Sequence, residues 1–155
     1  MNGADIRITV EQPPDREHTR AVQNGLIAFN RQHVPRDDYK PLGVFLRDGQ
    51  GRVRGGLVGS LYWGALAVDA LWMEEELQGQ GLGSALLQTA EAEALRCGCT
   101  MAHLDTMSFQ ALGFYEKHGY TVFGELTGYP AGVVRYFLSK MLQPDASGAL
   151  GTART

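Results

Sequence analysis

The sequence predicts one α/β (α+β) domain, a mixed and mostly antiparallel sheet with flanking helices. Three observations predict it. Segments with period-two alternation are interleaved with segments of helical period. Between residues 42 and 73 three apolar runs are separated only by Asp48-Gly49-Gln50-Gly51 and by Gly64, which is a hairpin pattern and hence antiparallel. After that, an apolar run, a glycine-rich turn and an amphipathic segment lead into another apolar run, the pattern of a helix crossover between parallel strands.

In chain order, Ile6, Ile8 and Val10 alternate with Arg7 and Thr9, which predicts a half-buried strand closed by Pro13-Pro14. Asp15 is placed as an N-cap. Val22, Leu26, Phe29 and His33 then recur at spacings of four, three and four, so a helix is expected from about residue 16 to 33, ended by Pro35. His33 is read as a helix-end histidine, with a place near an acceptor site as the alternative.

Leu42 to Arg47 and Val53 to Trp63 are the next strands. Gly55, Gly56 and Gly59 interrupt the second, where a strand glycine marks a bulge or a close backbone approach. Ala65 to Met73 is the fourth strand. Leu82, Ala85, Leu86, Ala90, Ala94 and Cys97 fall near helical spacing, and Gly98 stops that helix. Met101 to Leu104 is a fifth strand, parallel to the fourth. Ser108 is a candidate N-cap for a helix carrying Ala111, Phe114, Tyr115 and His118 on one face, ended by Gly119. A sixth strand begins at Tyr120, and Val133 to Leu142 is the last.

With 155 residues the chain is of one-domain length; residues 1–143 are assigned to the domain. Residues 144–155, small and polar, are expected to be a disordered tail. A net charge of −3 without a basic block predicts no nucleic-acid partner. No apolar run reaches the ~18 residues of a membrane span, and Met1 to Asp5 has no signal-peptide pattern. Cys97 and Cys99 form neither a disulfide framework nor a zinc site, and no metal is expected. Free thiols and the lack of a leader point to the cytoplasm.

Chemistry concentrates in Leu71-Trp72-Met73-Glu74-Glu75-Glu76-Leu77-Gln78-Gly79-Gln80-Gly81-Leu82-Gly83-Ser84. A strand, a glycine-rich turn and a helix start present unpaired N–H groups and the positive end of a helix dipole, a seat for phosphate. The P-loop pattern fails because no Lys follows the glycines. A dinucleotide fingerprint is a rival: Gly79 and Gly81 fit it and Asp105 lies where a ribose-binding acid would stand. The third glycine is displaced, however, and the preceding meander is antiparallel. A glycine-capped turn before an ordinary helix is the bland alternative.

Gln78, Gly81 and Gly83 fit a Gln/Arg-x-x-Gly-x-Gly/Ala pattern, and here the chain resembles the GNAT superfamily of acetyl-CoA-dependent N-acetyltransferases. A second match lies about 30 residues on. There Ser108-x-x-Ala111-x-x-Phe114-Tyr115-Glu116-Lys117-x-Gly119-Tyr120 is similar to the family's Asn-x-x-Ala-x-x-x-Tyr-x-x-x-Gly-Phe. The element order over about residues 5–142 is the family's order. The closing segments from Val122 to Leu138 look like a bacterial subgroup of small acetyltransferases.

The resemblance implies a single-domain GNAT fold whose central parallel strands splay apart, opened by a bulge near Met73. It implies acetyl-CoA as acetyl donor. The backbone of Leu71 and Met73 would pair with the pantetheine arm, and the Met73 amide would face the developing oxyanion. Leu77, Gln78, Gly79, Gln80, Gly81, Leu82, Gly83 and Ser84 would hold the pyrophosphate. Ser108, Ala111 and Tyr115 complete the implied cofactor contacts, with Ser108 standing where Asn is usual. Tyr115 is the implied general acid; from its stripe alone it reads as core.

The family's strand-borne carboxylate has Ala65 at its aligned place, so the base is open among Asp69, Glu74, Asp105 and His103, with Asp69 the candidate carried forward. Asp69 should share a strand face with Leu71 and Met73. Tyr62, Trp63 and Trp72 either line an acceptor pocket or pack in the core. Glu74, Glu75 and Glu76 are either solvated turn residues or an attraction for a cation. The expected acceptor is a primary amine on a small molecule or peptide, attacking directly in a ternary complex. Family members are often homodimers, which makes a second copy a candidate partner. A non-catalytic CoA-binding module is the alternative function.

Overall fold

The structure, a computed structural model, describes residues 5–144. The chain divides into two compact units, Met1–Asp37 and Asp38–Thr155. Apart from Pro144, the expected tail lies outside the described residues.

The first unit is built on helix α1, Arg16–His33. The Asp15 carboxylate accepts from the Glu17 N–H at 2.7 Å and so caps the helix as expected. His33 stacks against Phe29, with ring centroids 4.8 Å apart. Ile6 to Val10 is not a strand. Alternation supplies a face, but a strand also needs a ladder partner, and among the described residues this unit contains none.

The second unit holds a six-stranded sheet in the order β1-β2-β3-β4-β6-β5. Its strands are β1 (Lys40–Arg47), β2 (Val53–Tyr62), β3 (Ala65–Met73), β4 (Met101–Met107), β5 (Thr121–Leu126) and β6 (Arg135–Met141). Helix α2 (Leu82–Arg96) connects β3 to β4, and the short helix α3 (Leu112–Lys117) connects β4 to β5. All pairs are antiparallel except β3 with β4. The β1–β2 turn is held by Asp48, whose carboxylate accepts from the N–H groups of Gln50 and Arg52 at 3.0 and 2.9 Å. Trp63 and Gly64, at φ 51° and 77°, make the two-residue β2–β3 turn, a pairing of positive φ values that matches the twist of a hairpin.

Leu86, Leu87, Ala90 and Ala94 form the buried face of α2, which packs across β1, β2 and β3. The deepest side chains are Leu57, Leu66, Leu87 and Leu138. Helix α3 starts later than expected and is not capped by Ser108; its N-cap position is Ala111. The Gln110 side chain organises the turn instead, accepting from the Met107 N–H at 2.8 Å and from the Thr106 hydroxyl at 3.3 Å.

Two features of β3 position the site. Its pairing with β4 covers only Ala65–Val68 against Met101–Leu104, so the strands part beyond Val68. Its register with β2 shifts so that Val58 faces Ala70 and Gly59 faces Val68. Asp69 is therefore the extra residue of a bulge. The expected bulge near Met73 lies four residues earlier, where β3 leaves β4. Gly59 permits it: a Cβ there would stand 2.1 Å from the Ala67 carbonyl oxygen. The bulge also resets the alternation, because Leu66 and Val68 are buried before it and Met73 after it.

Candidate active site

Where β3 and β4 part, a cleft of about 860 Å3 opens, within the usual range for a small-molecule site. One wall is the end of β3, from Val68 to Met73. The other is Asp105 and Thr106 of β4 together with Gln110, Ala111, Phe114 and Tyr115. The loop before α2 and its first turn close one end.

The backbone of β3 is directional here. The Glu74 N–H donates to the Arg54 carbonyl at 3.0 Å, so it points at β2. Alternation along an extended strand then turns the N–H and C=O of Met73 and Leu71 to the opposite edge. That edge has no β4 partner beyond Val68. An unladdered strand edge facing a cleft is a template for an extended, amide-bearing ligand.

At the α2 end, Gly81 is the N-cap at φ 78°, ψ 4°. The first helical bond runs from the Ala85 N–H to the Gly81 carbonyl at 3.1 Å. The N–H groups of Leu82, Gly83 and Ser84 thus precede the ladder and carry the positive end of the helix. The three glycines serve different ends. Gly79 and Gly81 have positive φ, whereas a Cβ on Gly83 would meet Met73 Cε at 3.3 Å and the Phe114 ring at 3.6 Å.

Of the sequence-selected residues, Asp69, Leu71, Met73, Gln78, Gly79, Gly81, Leu82, Gly83, Ser84, Ala111 and Tyr115 line the cleft. Leu77, Gln80 and Ser108 do not. The Leu77 and Gln78 N–H groups donate to the Glu74 and Glu75 carbonyls at 3.0 and 3.1 Å, in a 3-10 turn over Glu75–Leu77, so neither amide serves an anion. Gln80 Nε2 donates to the Glu76 carbonyl at 3.0 Å. Ser108 clasps the residue just before β6: its N–H donates to the Val134 carbonyl at 2.8 Å, and its hydroxyl accepts from the Val134 N–H at 3.1 Å.

The four candidate bases separate cleanly. Glu74 accepts from Arg54 Nε at 2.7 Å, and that bond holds its carboxyl below the usual range. Its charge is spent on the end of β2. Asp105 lines the cleft, but its Oδ2 accepts from Arg135 Nε at 2.8 Å. His103 lies outside the cleft. Asp69 lines it, and among the described residues no hydrogen bond or ion pair occupies its carboxylate.

Tyr115 is 7% exposed. Its ring is held edge-on by Phe114 and Tyr120, at 5.1 and 5.8 Å between centroids. Burial, with the Asp105 charge adding, pushes its phenol above the ordinary value. A phenol in this setting keeps its proton at neutral pH.

Of the three aromatics considered for an acceptor pocket, only Trp72 reaches the cleft. Tyr62 and Trp63 stack on each other at 4.4 Å beside the hairpin turn, at the other end of β3 from Met73. The sequence reading missed Thr106, Gln110 and Phe114. Phe114 was visible as a member of the Ala111–Tyr115 stripe. Thr106 and Gln110 carried no signal until their mutual hydrogen bond and its brace on Met107 could be seen.

The cleft geometry supplies a test of the phosphate seat. Gly81→Val would put a β-branched residue at φ 78°, a strained backbone, so it would perturb the fold as well as the site. Gln78 has an ordinary extended backbone at φ −70°, ψ 155°. Gln78→Glu should leave thermal stability unchanged and weaken acetyl-CoA binding about tenfold or more, since like charges a few ångströms apart near a surface cost about 1–4 kcal/mol. Calorimetric Kd and a melting curve check both halves.

Comparison with known proteins agrees with this geometry. The model of the acetyltransferase (GNAT) family matches residues 8–120. The chain is 36% identical over 126 residues to the acetyltransferase Atu2258 of Agrobacterium fabrum, covering 81% of this chain and 92% of that protein. It is 42% identical over 94 residues to the blasticidin-S acetyltransferase of Streptomyces morookaense, covering 60% and 69%. A crystal structure from Agrobacterium tumefaciens superposes with a TM-score of 0.84 at 34% identity, covering 88% of this chain and 99% of that one.

Proposed function

Because the chain belongs to the acetyltransferase (GNAT) family, we propose that it moves an acetyl group from acetyl-CoA to a primary amine by direct attack in a ternary complex. The observation that carries this reading is the shared cleft. It joins an anion-favouring helix start, an open strand edge, an unpaired carboxylate and a buried phenol.

These residues fit acetyl-CoA. The N–H groups of Leu82, Gly83 and Ser84 suit its pyrophosphate, and the edge groups of Leu71 and Met73 suit its amide-bearing arm. When bound, acetyl-CoA supplies an activated thioester. The Met73 N–H offers a hydrogen bond to charge developing on the acyl oxygen. Asp69 takes the proton from the ammonium form of the acceptor, directly or through one water. Tyr115 keeps a proton for the leaving thiolate, and its hydrophobic surroundings exclude water from that position. Fold alone does not decide between turnover and mere binding; Tyr115 and Asp69 on one cleft favour turnover over a CoA-holding module.

Acceptor charge follows from the carboxylates. Glu74 is neutralised by Arg54 and Asp105 by Arg135, which leaves Asp69, in the same cleft as Trp72, as the attraction for a cation. Thiol release from acetyl-CoA should therefore depend on added amine and favour cationic acceptors, in a panel that includes blasticidin S, the acceptor named for one relative. Acceptor KM should rise with ionic strength. Acetyl-CoA binding without amine-dependent thiol release would mean a binding module; a preferred anionic acceptor would contradict the charge argument.

A further inference from the structure

Ser84 and His118 are 34 positions apart, yet Ser84 Oγ and His118 Nε2 are 2.8 Å from each other. Ser84 lines the cleft in the first turn of α2. His118 is the C-cap of α3, its ring tilted on Phe114 at 4.7 Å. It borders a second cleft on the far side, shared with Gln88, Glu91 and Lys140. The imidazole therefore stands directly behind a hydroxyl that faces the phosphate seat.

A serine hydroxyl has one proton, and a neutral imidazole has one ring N–H. If Nε2 accepts, the serine proton is turned away from the cleft, and only lone pairs face an incoming phosphate. If Nε2 carries the proton, it donates to Ser84 Oγ and the serine proton is free to point into the cleft. The two states differ in the ring tautomer and in the hydroxyl rotamer, and have opposite electrostatics at the anion site. Building on the acetyl-CoA reading, we infer that His118 is a positioning residue, and that binding of the CoA pyrophosphate selects the Nε2–H form and turns the Ser84 hydroxyl toward the phosphate.

Neighbouring charges do not compete for that nitrogen. From α2, Glu91 accepts from Lys140 Nζ of β6 at 2.9 Å and from the Tyr120 hydroxyl, just before β5, at 2.9 Å, so the three satisfy one another. On the helix carrying His118, Glu116 and Lys117 are the adjacent charges, of opposite sign. Phosphate binding should favour the imidazole tautomer that carries Nε2–H.

The test uses CoA itself. Histidine ring 15N shifts, recorded with and without CoA, should show the Nε2–H form of His118 in the complex. By calorimetry, His118→Leu should weaken CoA binding about tenfold, the usual effect of losing one hydrogen bond to a charged group. His118→Gln should stay within about threefold, because its amide N–H2 can still donate to Ser84. In a Ser84→Ala background His118→Leu should add nothing, which separates positioning from damage to the fold. Equal CoA affinity in the parent and His118→Leu, or no change of tautomer on binding, overturns the inference alone. A parent that does not bind CoA overturns the acetyl-CoA reading beneath it as well.

Discussion

Tyr115→Phe should lower kcat about 10²–10⁴-fold, the usual cost of removing a positioned acid, while acetyl-CoA Kd and melting temperature should stay close to the parent's. The substitution deletes one oxygen and leaves the ring between Phe114 and Tyr120. A residue of the core alone would give the inverse pattern, an unchanged kcat with a small shift in stability. Because burial and Asp105 raise the phenol above its ordinary value, an alkaline limb of the kcat profile that belongs to Tyr115 should lie above pH 10 and vanish in Tyr115→Phe. The comparison requires that chemistry limits turnover, which single-turnover kinetics establishes. An unchanged kcat under that condition removes Tyr115 from the mechanism.

Asp69→Asn separates two roles that one carboxylate can play. As the base, Asp69 governs kcat, and its loss costs about 10²–10⁴-fold at neutral pH. The loss should shrink as pH rises, because the acceptor then arrives already deprotonated. As mere attraction for a cation, Asp69 would act on acceptor KM instead and leave kcat in place. The side chain sits at an exposed bulge, so stability should not change in either case. Measuring kcat and KM for one cationic acceptor from pH 6 to 9 distinguishes the two. A kcat within about twofold of the parent at every pH removes Asp69 as base.

The sequence displayed the second unit well because its signals were local. Hairpin turns at Asp48 and Gly64, the stripe on α2 and the crossover into β4 each follow from residues within a few positions of one another. The parallel β3–β4 pair followed from that crossover. Ile6 to Val10 misled because alternation describes a face and not a partner. Ser108 misled for a related reason: its hydroxyl found Val134, 26 positions on, rather than the helix start three residues away. The position of the bulge was not legible in the spacing of β3 itself; it is fixed by Gly59 on the neighbouring strand, which admits the Ala67 carbonyl. Likewise Arg54, 20 positions before Glu74, decides which carboxylates remain available. Long-range partners of this kind distinguish the base candidates, and single-sequence periodicity carries none of them.

One cleft, where β3 leaves β4, should hold acetyl-CoA against the open edge of β3 and the start of α2. The most direct measurement is an amide 1H–15N titration of the parent protein with CoA. Saturable shifts are expected at the N–H groups of Leu71, Met73 and Gly79 through Ser84, with smaller ones at Ala111 and Tyr115, and little change at Leu77, whose N–H is already bonded to Glu74. Shifts confined to the second cleft around Glu91 and Lys140, or none at saturating CoA, would contradict it.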